Sequence, residues 1–210
     1  MIKKLITNKD LKGLDQALAA HPELANEGIA YDEVNTAKAH PLHRICDGVF
    51  AGLFTDTEGV EIAKIFLKHG ANVDGNSLLE KQDTPLVAAA SLHADLVAIL
   101  YMTHGATISH QGCHGGTALH WAAWCGRPVL VERLILAGAE INKRCIDFTA
   151  TPIFWAVHGS KHGNQNTADY ILCIKLLKEA GADPQIPNTE GKTIFDLLQD
   201  DDLQLTQLLK

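Results

Sequence analysis

Apolar residues recur along the chain at helical spacing, in short pairs of segments separated by turn residues. Leu11, Leu14, Leu18 and Leu24 mark one apolar face near the N-terminus, with Asp10 placed to cap the helix. Val131, Leu134 and Ile135 mark another, Asp95 to Thr103 a third, and Leu203 to Leu209 a last one with polar residues between its leucines. Before several of these runs stands a shorter, alanine-rich segment. Thr84-Pro85-Leu86 leads to Ala89-Ala90, Thr117-Ala118-Leu119-His120 to Ala122-Ala123, and Thr151-Pro152-Ile153 to Ala156. A threonine hydroxyl can accept from the first free amides of a helix, and a proline at the next position loses no hydrogen bond. Each outer run ends on Gly-Ala, at Gly70, Gly105, Gly138 and Gly181, where glycine supplies the left-handed helix stop.

The spacing fixes the organisation. Thr84 to Thr117 is 33 residues, and so is Gly105 to Gly138. A fixed period in this range means stacked units, each too small to bury both faces of its two helices alone. From His40 to Gly70 and from Thr151 to Gly181 is 30 residues, against 21 in the two units between. About nine extra residues are therefore expected near Val49 to Glu58, and as many around Gly159 to Thr167. The second stretch is polar and glycine-rich, which predicts a loop. His40 replaces the threonine of the other units, which weakens the capping argument there.

The stretch Gly116-Thr117-Ala118-Leu119-His120-Trp121-Ala122-Ala123-Trp124-Cys125-Gly126, through Gly138-Ala139-Glu140-Ile141-Asn142, resembles a near-complete ankyrin repeat. The resemblance implies an all-α repeat solenoid, a stack of helix–turn–helix–hairpin units. It implies four internal repeats between degenerate N- and C-terminal capping repeats, in one domain over 1–210. The approximate units are 1–35, 36–78, 79–111, 112–145, 146–188 and 189–210. It further implies that inner helices and hairpin tips line a concave, protein-binding face. Residues after the Ala-Ala position and before the threonine would point into it: Asp47, Glu80, Lys81, Asp83, Ser91, Leu92, Cys113, His114, Trp124, Cys125, Arg144, Asp147, Phe148 and His158. Trp124 is the expected anchor, because aromatic residues are frequent interface hot spots, with an acidic rim at Glu80, Asp83 and Asp147. Trp121 and Trp155 hold equivalent places and are expected to pack repeat against repeat. The two insertions would rise as walls on the edge opposite the hairpins, or represent neutral loop growth.

Charge and composition narrow the function. With 18 Lys plus Arg against 25 Asp plus Glu, the formal charge is −7, unlike a general nucleic-acid binder. No run approaches the roughly 18 apolar residues of a membrane span. The five cysteines show no staple-like spacing, which suits a reducing, cytoplasmic setting. Gly191-Lys192-Thr193 matches half of a phosphate loop, but Ile186 stands where the first glycine is needed. His158 and His162 stand i, i+4, yet Gly159 and Gly163 argue against a helix there. Cys113, His114, Cys125 and Cys145 lack zinc-ligand spacing. His43 and His120 are expected to be hydrogen-bonded within their repeats rather than catalytic. The expectation is a monomeric, non-enzymatic scaffold for a protein or peptide partner, without cofactor, metal, nucleic acid or membrane. The alternatives are a small-ligand or metal-binding protein using Trp124, His158 and the cysteines, and an enzyme with its chemistry in the loops.

Overall fold

The computed structural model describes residues 1–31, 34–163, 166–199 and 202–209. They form two compact units, Met1–Leu79 with Asp83–Thr107, and Glu80–Gln82 with Ile108–Lys210.

The first unit opens with α1 (Ile2–Thr7) and α2 (Leu11–Ala20). Asp10 caps α2 by accepting from the Gly13 amide at 2.9 Å. Leu14 and Leu18 are fully buried, whereas Leu11 keeps 38% of its surface exposed. A two-stranded antiparallel ribbon, β1 (Ile29–Ala30) and β2 (Lys38–Ala39), leads into α3 (Pro41–Phe50) and α4 (Asp56–Lys68). The helices α5 (Pro85–Ser91) and α6 (Asp95–Thr103) follow, α3 packing on α5 and α4 on α6. His40 does cap its helix, contrary to the sequence expectation. Its Nδ1 accepts from the Leu42 amide at 3.3 Å while Nε2 faces Asn26 Oδ1 at 3.0 Å. An imidazole nitrogen thus replaces the hydroxyl. Burial, with His43 nearby, lowers the His40 pKa to about 4.

The second unit continues the pattern with α7 (Ala118–Trp124) and α8 (Pro128–Leu136), then α9 (Pro152–His162) and α10 (Thr167–Glu179). A 3-10 turn at Ile194–Leu197 and α11 (Leu203–Leu209) close it. Again inner packs on inner, α7 on α9, and outer on outer, α8 on α10. Thr84 and Thr117 engage the amides or side chains of their first turns. Thr151 does not: its buried Oγ1 has no partner among the described residues.

The extra residues mostly lengthen helices instead of forming raised loops. α3 and α9 have 10 and 11 residues where α5 and α7 have 7, and α4 and α10 have 13 where α6 and α8 have 9. Only short connections are left, and Asn164 and Gln165 of the expected second loop lie outside the described residues. Gly159, read from sequence as loop, is buried inside α9. A Cβ there would collide with the Trp124 carbonyl, so glycine permits α9 to abut the end of α7. Gly163 also differs from the expected open loop. Its missing Cβ leaves room for the buried Tyr170 ring, and valine there would clash. Gly138, with φ +87 and open space around it, answers to the left-handed helix stop.

Candidate functional site

Four hairpin tips follow one another along the second unit, and main-chain bonds join each to the next. The Lys81 amide donates to Gln111 O at 3.0 Å, Asp147 to His114 O at 3.2 Å, and Thr189 to Phe148 O at 2.8 Å. The last three also close on themselves: Gly112 donates to Gly116 O at 2.9 Å, Cys145 to Ala150 O at 2.9 Å and Asn188 to Lys192 O at 2.8 Å. Gly115, at φ +67, leaves the space that Ile146 of the next tip fills.

The inner helices supply aromatic rings beside these tips. Trp121 and Trp124 of α7 each meet Trp155 of α9 near the perpendicular, with centroids 5.1 and 6.2 Å apart. His158 stacks on Trp124 at 5.1 Å and 23°. His158 and His162 do share a helix, with ring centroids 4.4 Å apart, which corrects the expected break. Burial, helped by the charge His162 can carry, lowers the His158 pKa. Phe148 leans toward His114 at 5.3 Å and toward Trp155 at 6.4 Å.

All of these rings except His162 line a cleft of about 570 Å³. Phe154 and Leu197 add apolar wall, and Asn188, Glu190 and Lys192 line its other edge. Sequence reading missed this last group, because the closing repeat was treated only as a cap. The Asn188–Lys192 turn, formed like the earlier tips, was the available signal.

Charges around the cleft are satisfied internally. Lys81 pairs with Asp147, which also meets His114 Nδ1 at 3.2 Å, and the lysine and then the histidine lower the Asp147 pKa. Lys192 pairs with Glu190 at 2.8 Å. At Asp147 the expected acidic rim is thus a balanced pair. Arg144 is turned to the main chain, donating from Nε to Thr149 O and from Nη2 to Pro187 O, both at 2.8 Å. Cys125 is buried and Cys113 half-buried. Glu80 is exposed.

Other expected site residues belong to the first unit. Asp47 accepts from Arg44 at 2.6 Å, and Arg44 also holds Ile29 O and Ala37 O and lies over the Tyr31 ring. Ser91 donates to Ala88 O at 3.1 Å, while Leu92 and Asp83 are half-buried.

His120 is bonded within the framework. Its Nδ1 accepts from the Thr117 amide at 3.1 Å and Nε2 reaches Ala150 O at 3.2 Å. That pairing needs the neutral ring with its proton on Nε2, and burial lowers the pKa to about 4. His43 differs: its buried Nδ1 lies 3.6 Å from Asp47 and makes no hydrogen bond among the described residues. Among the described residues no cluster of three or more His, Cys, Asp or Glu side chains is placed to hold a metal ion.

A family model described as ankyrin repeats, in three copies, matches residues 53–145. Residues 53–145 carry ankyrin repeats. Similar sequences include palmitoyltransferase AKR1 of Kluyveromyces lactis, 39% identical over 79 residues, covering 38% of this chain and 9% of that protein. The E3 ubiquitin-protein ligase KEG of Arabidopsis thaliana is 32% identical over 124 residues, 56% of this chain and 7% of that protein. Palmitoyltransferase Hip14 of Drosophila melanogaster is 33% identical over 75 residues, 36% of this chain and 10% of that protein. The matches thus span a tenth or less of these relatives' length. Ankyrin repeats are in general protein–protein interaction modules. Among the described residues no helix is long and apolar enough to cross a membrane.

Proposed function

We propose that the chain is a non-enzymatic, monomeric, cytoplasmic scaffold that docks a protein or peptide partner, and that the aromatic cleft of the second unit receives the partner's anchor. The observation that carries this reading is Trp124. It is only half-buried, is stacked on His158, and lines a cleft with Trp121, Trp155 and Phe148. Large rings grouped at a surface are a feature of binding sites. The net charge of −7 argues against nucleic acid. Nothing in the reading requires a cofactor. Glu80, Lys81, Cys113, His114 and Asp147 would surround the anchor. Cys125, being buried, would contribute less, and Asp47, Asp83, Ser91 and Leu92 of the first unit are partly withdrawn from solvent.

The test uses peptides selected from a displayed random library on the unmodified chain. Trp124→Ala should weaken their binding by roughly 2 kcal/mol, about thirty-fold. Circular dichroism should show the fold retained. Lys175→Ala, on the outer helix α10, is the matched control. Lys178 is unsuitable because it holds the Leu208 carbonyl. Unchanged binding by Trp124→Ala would remove the anchor from this reading.

A further inference from the structure

The tip that carries Phe148 is tied at successive main-chain positions. The Asp147 amide donates to His114 O, Phe148 O accepts from Thr189, Thr149 O accepts from Arg144, and Ala150 O accepts from Cys145 and faces His120. Within this tied segment Thr149 has φ +49. A β-branched residue is strained there, because its Cβ substituents crowd the flanking peptide groups. Its hydroxyl gives nothing back, since Oγ1 is buried and has no hydrogen-bond partner among the described residues. The next residue back, Phe148, keeps 44% of its surface exposed although it lines the cleft. An exposed ring is thus presented by a strained backbone that is fixed from several sides.

Stability alone does not account for this arrangement. Glycine would relieve the strain, and an exposed phenylalanine stabilises little. A β-branched residue has few allowed backbone conformations and a stiff χ1, so one held at this φ by the framework has little freedom around it. Arg144 adds a second restraint by bridging Thr149 O and Pro187 O. The nearby ion pairs, Lys81 with Asp147 and Lys192 with Glu190, are closed among themselves and leave the aromatic walls as the attractive surface.

We propose that Thr149 and Arg144 are positioning residues that hold Phe148 as a fixed wall of the cleft, pre-set for an uncharged apolar side chain of a partner peptide. This deepens the scaffold reading and rests on it. Pre-ordering the wall removes an ordering cost from binding. The strain is borne by the free protein.

The probe is N-phenyl-1-naphthylamine, a neutral apolar dye whose occupancy is read by energy transfer from tryptophan. Thr149→Gly should raise Tm by about 2 °C and weaken dye binding about five-fold. Arg144→Gln should lower Tm and also weaken binding, so the two variants move stability in opposite directions and affinity in the same one. A residue that acted only through stability would not do this. Phe148→Ala should weaken binding by itself, and Thr149→Gly should then add no further loss, the non-additivity expected if one residue acts through the other. Dye binding unchanged in Thr149→Gly, or full additivity with Phe148→Ala, overturns the positioning role while leaving the cleft reading standing. Absence of saturable energy transfer in the unmodified chain overturns both.

Discussion

Two helix pairs, α3 with α5 and α7 with α9, are built on one register and carry opposite surfaces. Four residues after the capping position stand Arg44 and Ala88 in the first unit, and Trp121 and Trp155 in the second. Seven residues after it stand Asp47 and Ser91, against Trp124 and His158. The buried positions, by contrast, match closely: Leu42, Leu86, Leu119 and Ile153 are all fully buried. In the first unit the charged pair is used within the protein, Arg44 pinning the β1–β2 ribbon and Asp47 holding Arg44. In the second unit the same places present rings to a cleft. Packing therefore dictates the common positions, and the positions it leaves undetermined separate a framework unit from one suited to binding.

The comparison can be broken most severely at the glycines eight residues after the cap, Gly48 and Gly159. A Cβ at Gly48 would meet the tip of the Phe54 ring, whereas at Gly159 it would meet the Trp124 main-chain carbonyl. A side chain can shift more easily than a helix backbone. Gly159→Ala is expected to cost about 3 kcal/mol and Gly48→Ala about 1 kcal/mol, typical of overpacking. Urea midpoints of the two variants measure this, and equal losses would mean that α9 can slide away from α7.

Acid gives an effect of similar size and touches both units. His120 and His40 have folded pKa values lowered to about 4, below the ordinary 6.5. Above pH 6.5 both states are neutral and these groups impose no pH dependence. Below it the unfolded chain takes protons that the folded chain refuses, so stability falls as pH drops from 6.5 toward 4 and then levels. For His120 the full loss is roughly 3 kcal/mol. His120→Gln should be less stable at pH 7 but lose less on acidification, as urea unfolding at pH 7 and pH 4.5 would show. An unaltered pH slope in the variant would exclude His120 as the source.

The smallest expected effect sharpens the contrast. Ser91 sits at the register position of Trp124, and its hydroxyl donates to Ala88 O one turn back in the same helix. Loss of such a half-buried hydroxyl in Ser91→Ala should change stability by about 0.5 kcal/mol and selected-peptide binding by less. Calorimetry of the same peptides used for Trp124→Ala would check it. A large loss would place part of the binding surface in the first unit.

Much of the fold was legible because it repeats. The 33-residue period, the threonine starts and the Gly-Ala stops located helices such as Asp95–Thr103 to the residue. What escaped had local physical causes. His40 was misjudged because imidazole nitrogen is an uncommon cap acceptor. Helix α9 was ended too early because glycine ordinarily weakens a helix, whereas Gly159 is required by the close approach of Trp124 O. The candidate site was half legible. Trp124, Phe148 and His158 were named and lie together, but the ion pairing that neutralises Asp147 depends on Lys81, far away in sequence. Glu190 and Lys192 were overlooked because a closing repeat was expected only to shield the stack.

The rungs that join Lys81 to Gln111, Asp147 to His114 and Thr189 to Phe148 are formed by amides and carbonyls alone. Any residue except proline can supply such an amide, so exposed tip side chains that tie nothing down, unlike Gly115 and Arg144, can be exchanged without dismantling the ladder beneath them. A lineage carrying this chain could therefore explore new partners by point substitution at those exposed tip positions, one residue at a time. The same property makes the second unit a practical starting scaffold for selecting altered binding specificity in the laboratory.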